Sequence, residues 1–168
     1  GIAVTTDIIV GFPSESDEDF ELTMKLTEQV RYENQYSFIF SPRPKTAAGI
    51  HENAWGPVPH EVKIARLERL QKLQRKISGE LMAAELGREV EVLVEGPSKF
   101  DPAKRFGRTP ENRTVNFDGD APAGAFVKVR VERTSPNALA GTQVAVLELP
   151  TVMPPPDAQP QLPVCETH

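Results

Sequence analysis

Cysteine is almost missing from this sequence: its 168 residues contain one, Cys165, close to the carboxyl end. A single thiol excludes a disulfide within the chain and a metal site built from the chain's cysteines alone. Together with the lack of a recognisable signal peptide, it favours a reducing, cytoplasmic compartment. His51 and His60 lie nine residues apart across a proline-rich loop, a spacing that predicts no metal site.

Positive charge and long apolar runs are also scarce. Lys and Arg number 19 against 24 Asp and Glu, for a net charge of −5, so an RNA site would have to be a local basic patch. No apolar run approaches the roughly 18 residues of a membrane span. The first residue is Gly1 rather than Met, and a β-rich run begins within three residues. We therefore interpret the chain as the C-terminal part of a longer protein.

Residues 1–57 alternate strand and helix patterns. Ile2–Val10 is nearly all apolar and is followed by Gly11, which predicts a strand buried on both faces, as in a parallel sheet. An acidic run and apolar residues at helical spacing predict a helix over residues 16–32. Tyr36–Phe40 predicts a second strand, and Gly49–Pro59 predicts a turn-rich connection. This order is that of α/β folds.

Residues 58–86 predict a long amphipathic helix that begins near Pro59 and ends near Gly87. Its apolar stripe consists of Val62, Leu67, Leu70, Leu73, Ile77 and Leu81. The basic residues of the other side are most simply a solvated face, and contact with RNA is the alternative: Lys63, Arg66, Arg69, Lys72 and Lys76.

Residues 87–149 change to a period of two. Apolar residues alternate with polar ones over 90–94, 115–117 and 127–131, and residues 143–149 form a further β run. Short strands separated by turn signals predict a small antiparallel β-barrel of the size of an OB-fold. Residues 150–168 hold six of the sixteen prolines and predict a disordered tail.

Three short stretches stand in a characteristic order. They are TDIIVGFP at residues 6–13, FSPRP at residues 40–44 before Thr46, and GRT at residues 107–109 followed by Asn112 and VNF at residues 115–117. With these motifs the sequence resembles the radical S-adenosylmethionine methylthiotransferases, and within them the branch that modifies an adenosine beside the tRNA anticodon. The resemblance covers residues 1 to about 149.

The resemblance implies an α+β fold in two parts. Residues 1–57 would be the end of a radical (β/α) barrel, 58–86 a linking helix and 87–149 a TRAM β-barrel that binds RNA. The longer enzyme would use S-adenosylmethionine and two 4Fe-4S clusters, whose six cysteine ligands would lie upstream, so this chain would hold no metal and no catalytic residue. Its partners would be the N-terminal domains of the same enzyme and the tRNA anticodon stem-loop. We expect a monomer without membrane contact.

Five residues are the cofactor-binding candidates that the resemblance implies. Gly11 leaves room for an adenine or sugar at the backbone, and Ile9 faces the same side of the strand. Arg43 stands between two prolines, and its guanidinium suits a carboxylate or phosphate. From the pattern alone, a buried strand, a tight turn and a surface arginine explain the same residues. The full set is Ile9, Gly11, Phe12, Pro13 and Arg43.

Two residues depart from the family pattern, which usually has glycine where Ser14 and Lys45 stand. Ser14 is a mild change if the backbone angle is open to it. Lys45 adds a charge near the expected cofactor pocket. Both departures bear on the geometry of the turns rather than on the family.

The β-rich part is electrically neutral, with nine basic and nine acidic residues in 87–149. Five of the bases fall within fifteen residues, among Phe100 and Phe106, and bases between aromatics suit phosphates and nucleobases. Two more share a strand face with Phe126. If the aromatics are core, the bases are merely solvated. The predicted RNA-binding residues are Lys99, Lys104, Arg105, Arg108, Asn112, Arg113, Lys128 and Arg130.

Three alternatives remain open at this point. The first is the related enzyme that methylthiolates an aspartate of a ribosomal protein, which shares the barrel and the TRAM domain. The second is a free-standing, non-catalytic RNA-binding module, against which the barrel-like first fifty residues argue. The third is a structural fragment without activity of its own.

Overall fold

The computed structural model describes residues 2–99 and 101–150. The chain forms two compact units, one of residues 1–86 with 133–139 and the other of residues 87–132 with 140–168. The tail predicted over 150–168, apart from its first residue, lies outside the described residues, as do Phe100 and Cys165. Among the helices of the described residues, none has the length and apolar character needed to cross a bilayer.

The first unit contains a two-stranded parallel sheet of β1 (Thr5–Val10) and β2 (Asn34–Ile39), connected by helix α1 (Asp17–Val30). The register runs in step from Thr5 opposite Asn34 to Val10 opposite Ile39. The predicted order of strand, helix and strand is therefore confirmed. Because parallel strands end at the same edge, the loops that follow β1 and β2 lie side by side.

The prediction that the first strand is buried on both faces is wrong. Val10 is buried, with Phe20 of α1 and Leu70, and Ile8 and Ile39 pack against this cluster. On the other face Ile9 and its partner Phe38 are 55% and 53% exposed. Within the described residues the helices cover a single face of this sheet, so the continuous apolar run indicates more burial than β1 has in this unit.

Helix α1 is capped by specific residues at both of its ends. Ser16 is the N-cap, its hydroxyl accepts the Asp19 N–H, and the Asp19 carboxylate accepts the Ser16 N–H, which makes a capping box. These hydrogen bonds, first that to the Ser16 backbone and then that to its hydroxyl, lower the pKa of Asp19. Arg31 takes a left-handed conformation at the C-cap. The predicted range of 16–32 is thus confirmed to within two residues.

The turn-rich connection predicted over 49–59 is partly wrong, because α2 (Ala47–Trp55) occupies most of it. The hydroxyl of Thr46 caps this helix by accepting the Gly49 N–H at 3.1 Å. Gly56, with a φ of 93°, ends it. Most of the glycines and prolines that suggested turns follow the end of the helix. The nine residues of α2 before them are long enough for two helical turns.

Helix α3 (His60–Ala83) is the predicted long helix, and Leu70 and Ile77 of its apolar stripe are fully buried. The prediction that the basic face of this helix is solvated is wrong for two residues, since Lys63 and Arg66 are only 7% and 5% exposed. Arg69, Lys72 and Lys76 are exposed as predicted. Both bases have acidic partners from other elements: Arg66 pairs with Glu15 of the loop after β1 and with Asp17 of α1, and Lys63 lies beside Glu52 of α2.

The second unit is a closed five-stranded barrel in the order β3-β4-β5-β7-β6, as the period of two predicted. The strands are β3 (Glu89–Pro97), β4 (Arg105–Arg108), β5 (Thr114–Asp118), β6 (Phe126–Ser135) and β7 (Ala138–Glu148). The alternating positions fill its interior, and Val92, Phe117 and Val129 are fully buried. The short β4 escaped the sequence analysis because its Arg-Phe-Gly-Arg has no apolar alternation. The tip of the β6–β7 hairpin, residues 133–139, belongs to the first unit.

Candidate functional site

The predicted cofactor-binding residues lie at one edge of the two-stranded sheet or near it. The loop after β1 carries Phe12, the loop after β2 carries Arg43, and the parallel register brings both to the carboxyl end of the sheet. Ile9 stands two residues before Gly11 on the bare face of the sheet. This edge is where open α/β sheets and barrels bind ligands.

Gly11 is explained by packing against α3. Its φ of 73° favours glycine, and a β-carbon there would run into the side chain of Lys63. Its N–H donates a hydrogen bond to Oε2 of Glu15 at 2.5 Å. Gly11 and Pro13 are buried, whereas 43% of Phe12 is exposed. Gly11 and Pro13 thus shape the loop, and Phe12 presents a side chain to the surface.

Arg66 of α3 holds the loop after β1 in place through hydrogen bonds. Its Nη1 donates to the carbonyl oxygen and to Oε2 of Glu15, at 3.0 and 2.6 Å, and its Nη2 donates to Oδ1 of Asp17 at 2.7 Å. Burial lowers the pKa of Arg66, but the hydrogen bonds that it donates to Asp17 and Glu15 outweigh burial, so the pKa is raised overall. The guanidinium stays charged and holds the start of α1 on α3.

An aromatic cluster at the same edge was missed by the sequence analysis. Phe12 meets Phe40 edge-on at 5.1 Å between ring centroids and Trp55 at 6.4 Å, and His51 stacks on Trp55 at 5.7 Å. Nζ of Lys63 lies 5.3 Å from the Phe40 ring. The available signal was the chain's single tryptophan, four residues after a histidine, a spacing that places both on one face of a helix.

Arg43 is exposed, and hydrogen bonds to described residues fix its backbone but not its side chain. Its carbonyl oxygen accepts hydrogen bonds from the hydroxyl and N–H of Thr46, at 2.8 and 3.3 Å. Its guanidinium makes no ion pair or hydrogen bond with another described residue. Ser14 and Lys45, which stand where the family pattern has glycine, both have left-handed backbones, with φ of 72° and 67°.

Most of the predicted RNA-binding bases come together on β3, β4 and the turns beside them. Arg105 and Arg108 lie on β4, which pairs with β3 on one side and β5 on the other. Arg108 donates to Glu95 at 3.0 Å and to the Asn112 side chain at 3.0 Å, and lies 5.8 Å from the Phe106 ring. Lys104 pairs with Asp118 at 2.9 Å. Asn112 adopts a left-handed turn with φ of 65°, which asparagine tolerates well.

Lys128 and Arg130 lie apart from that group, on β6 across β3. They stand opposite Glu91 and Glu89. Arg130 donates to Glu89 at 2.8 Å, and this hydrogen bond lowers the pKa of the Glu89 carboxyl. The outward acids of β3 therefore separate the two groups of bases and neutralise part of each.

The bases differ in how far acids already engage them. Arg113 has an interaction within the described part of the chain, so it does not stand free. Three of the predicted RNA-binding bases are paired with no acid among the described residues: Lys99, Arg105 and Lys128.

An iron–sulfur cluster would find a single cysteine ligand in this chain. Within residues 2–99 and 101–150, no three His, Cys, Asp or Glu side chains are grouped so that they could hold a metal ion. The edge described above suits a small organic ligand instead, because it offers an exposed aromatic ring and an unpaired guanidinium. Those groups fit an adenine and a carboxylate.

Known proteins resemble the chain over nearly its whole length. Residues 83–144 match the TRAM domain family. The tRNA-2-methylthio-N(6)-dimethylallyladenosine synthase of Myxococcus xanthus (strain DK1622) is 75% identical over 154 residues, 92% of this chain and 33% of that protein. Proteins of the same name from Anaeromyxobacter dehalogenans (strain 2CP-C) and Moorella thermoacetica are 55% and 45% identical, over 84% and 86% of the chain and 32% of each relative.

The chain thus spans about a third of the length of the curated relatives that it matches. Residues 83–144 of the chain therefore belong to the TRAM domain family, within a chain that is similar over nearly its whole length to about a third of these synthases.

Proposed function

We propose that this chain is part of a radical S-adenosylmethionine enzyme that adds a methylthio group to C2 of N6-isopentenyladenosine next to the tRNA anticodon. The observation that carries the proposal is the 75% identity to a relative named for the same product, across 92% of the chain. An identity this high over 92% of the chain supports a shared fold and a shared site.

The first unit would supply the rim of the cofactor pocket. Its bare sheet face, with Ile9 and Phe38, is apolar and ends at the edge that carries Phe12 and Arg43. In a (β/α) barrel the helices cover the outside and the other face of the strands lines the interior. Ile9 and Phe12 would contact the adenine, Gly11 and Pro13 would shape the loop, and Arg43 would bind the cofactor's carboxylate.

The radical chemistry would come from S-adenosylmethionine and two 4Fe-4S clusters held by cysteines that this chain lacks. The residues of this chain would bind, orient and exclude water, and none would act as the catalytic group. Its partners would be the remaining domains of the same enzyme, in a monomer, and the setting would be the cytoplasm, where tRNA is modified.

The barrel would hold the tRNA anticodon stem-loop. The support is the TRAM match and the bases around β4. Because acids engage Lys104, Arg108 and Arg130, the first contacts with phosphate would fall to Lys99, Arg105 and Lys128. The bases that already pair with acids would contact the RNA only after exchanging their carboxylate partners for phosphates. The loss of those ion pairs would offset part of the free energy gained from the phosphates.

A chimera tests the proposed activity. The matched stretch of 154 residues would replace the corresponding third of the Myxococcus xanthus relative, in a bacterial strain that lacks the 2-methylthio modification. Mass spectrometry of digested tRNA should then find the methylthiolated nucleoside near the level that the relative itself gives. Arg43→Ala in the same chimera should abolish most of the product while iron content stays unchanged.

The unfavourable outcome is equally definite. A chimera that is folded and carries the relative's full iron content, yet leaves only N6-isopentenyladenosine in tRNA, contradicts the proposal. Methylthiolation of a ribosomal-protein aspartate instead would establish the alternative substrate. A separate preparation of this chain alone, which has one cysteine, is the control without clusters.

A further inference from the structure

The side chains of Phe12, His51 and Trp55 form an exposed surface, here named the α2 aromatic patch. Phe12 and Trp55 are each 43% exposed, and His51 is exposed beside Trp55. The ring planes of His51 and Trp55 are within 25° of parallel. Three rings in contact at a surface offer large planar area, and the cofactor proposal above uses only Phe12.

The loop that carries the patch is held rigidly. The Ser14 N–H donates to the carbonyl oxygen of Gly56 at 2.9 Å, which ties the loop after β1 to the end of α2. At the other end of α2, Gly49 lies against the backbone of Arg43 so closely that a β-carbon would collide with it. A fixed platform loses little conformational entropy when a ring stacks on it.

The charges beside the patch favour an anionic partner. Arg43 and Lys45 immediately precede α2, are exposed, and make no ion pair with another described residue. The acid of α2, Glu52, lies 3.7 Å from the buried Nζ of Lys63 and is neutralised by it. Glu15 and Asp17 are likewise held by Arg66.

We infer that the α2 aromatic patch, through His51 and Trp55, is a stacking site for an unpaired nucleotide of the substrate RNA, with Lys45 on its phosphate. Planar rings flanked by free cations are the chemistry that binds single-stranded nucleic acid. Paired bases keep their faces covered, so the site selects an open loop over a duplex. The inference rests on the proposed function and adds to it a second RNA contact, on the first unit.

Trp55 reports on its own site because it is the only tryptophan. The 168-residue chain would be titrated with an unmodified anticodon stem-loop RNA and, separately, with a blunt RNA duplex of equal length. The stem-loop should quench Trp55 emission with the midpoint that filter binding gives. The duplex should bind more weakly and leave the emission unchanged.

Substitutions measure the contribution of stacking. Trp55→Ala should weaken stem-loop binding about tenfold, as expected when one base has no aromatic ring to stack on. Trp55→Phe keeps a ring and should retain most of the affinity. Tyr36→Ala is the matched control, since Tyr36 is an exposed aromatic on β2 outside the patch and should leave binding unchanged.

The outcomes separate this inference from the proposed function. If the chain binds the stem-loop while Trp55 emission is constant and Trp55→Ala binds like the parent, the stacking site is refuted and the tRNA-binding barrel stands. Equal quenching by the duplex also overturns it. If the chain binds no RNA at low salt, both the stacking site and the proposed RNA-binding role of this chain fail.

Discussion

Ser14 and Lys45 are two of the four described non-glycine residues with a positive φ, a backbone conformation that most side chains disfavour. Ser14 and Lys45 have φ of 72° and 67°, in the left-handed region where a β-carbon crowds the following carbonyl oxygen. The resemblance leads us to expect glycine at both positions, and a positive φ is the backbone conformation that favours glycine. The surrounding hydrogen bonds, such as that from Ser14 to Gly56, keep the turns formed in spite of this cost.

Ser14→Gly and Lys45→Gly should each stabilise the first unit. Relief of the left-handed strain is worth about 1–2 kcal/mol, and the greater freedom of glycine in the unfolded chain removes part of it. We expect a net gain of about 0.5–1 kcal/mol for each substitution. Urea unfolding followed by the emission of Trp55, which lies in this unit, measures the change.

Ser14→Ala is the matched control, because alanine removes the hydroxyl and keeps the β-carbon. It should leave the unfolding midpoint unchanged or lower it. If Ser14→Ala stabilises as much as Ser14→Gly, the serine hydroxyl and not the backbone angle is the source of strain.

At the scale of elements, one arginine joins three segments. Arg66 of α3 binds the loop after β1 through Glu15 and the first turn of α1 through Asp17. The side chains of Arg66 and Glu15 are both largely buried, so neither can exchange its partner for water. A buried pair of this kind is costly to break from one side.

Arg66→Ala should therefore destabilise the first unit by about 3–5 kcal/mol, because Glu15 keeps its charge without a counter-ion. Arg69→Ala is the matched control: Arg69 lies one turn further along α3, pairs with Glu21 at 2.7 Å, and both side chains are about half exposed. That loss should stay below about 1 kcal/mol. Equal effects in urea unfolding would show that the Arg66 junction contributes no more than a surface pair.

At the scale of the whole molecule, a chain with net charge −5 has to bind RNA through local groups. The bases of the barrel are divided by the outward acids of β3. On the β3–β4 side, Lys99 and Arg105 pair with no acid among the described residues. When these two bases bind phosphates they would release counterions, so affinity should fall as salt rises.

Lys99→Ala with Arg105→Ala should weaken tRNA binding and lower the slope of log K against log salt by about 0.7 to 0.9 for each phosphate that is no longer neutralised. Filter binding of the full chain at several salt concentrations measures both quantities. Lys72→Ala with Lys76→Ala on α3 removes the same charge and should do less, because that face is solvated. A larger effect of the α3 pair would place the RNA surface on the helix.

The regular elements were largely predictable from the sequence. Period-two alternation gave most of the barrel, and the stripe with Leu70 and Ile77 gave α3. Two short elements were missed for a local reason. β4 has four residues without alternation, and α2 has nine residues bounded by glycine and proline. Elements this short depend on their neighbours for stability more than on their own pattern.

The sequence by itself determined the order of the longer strands and helices, the alternating core of the barrel and, through three short motifs, the resemblance to the relatives that match the chain. These properties depend on residue period and on local turn chemistry, which are written along the chain. Only the tertiary structure decided that Lys63 and Arg66 are buried, that Trp55 joins Phe12, and that acids of β3 engage Arg108 and Arg130. Each of these facts depends on proximity between residues distant in sequence, and a pattern read along one chain contains no such distances.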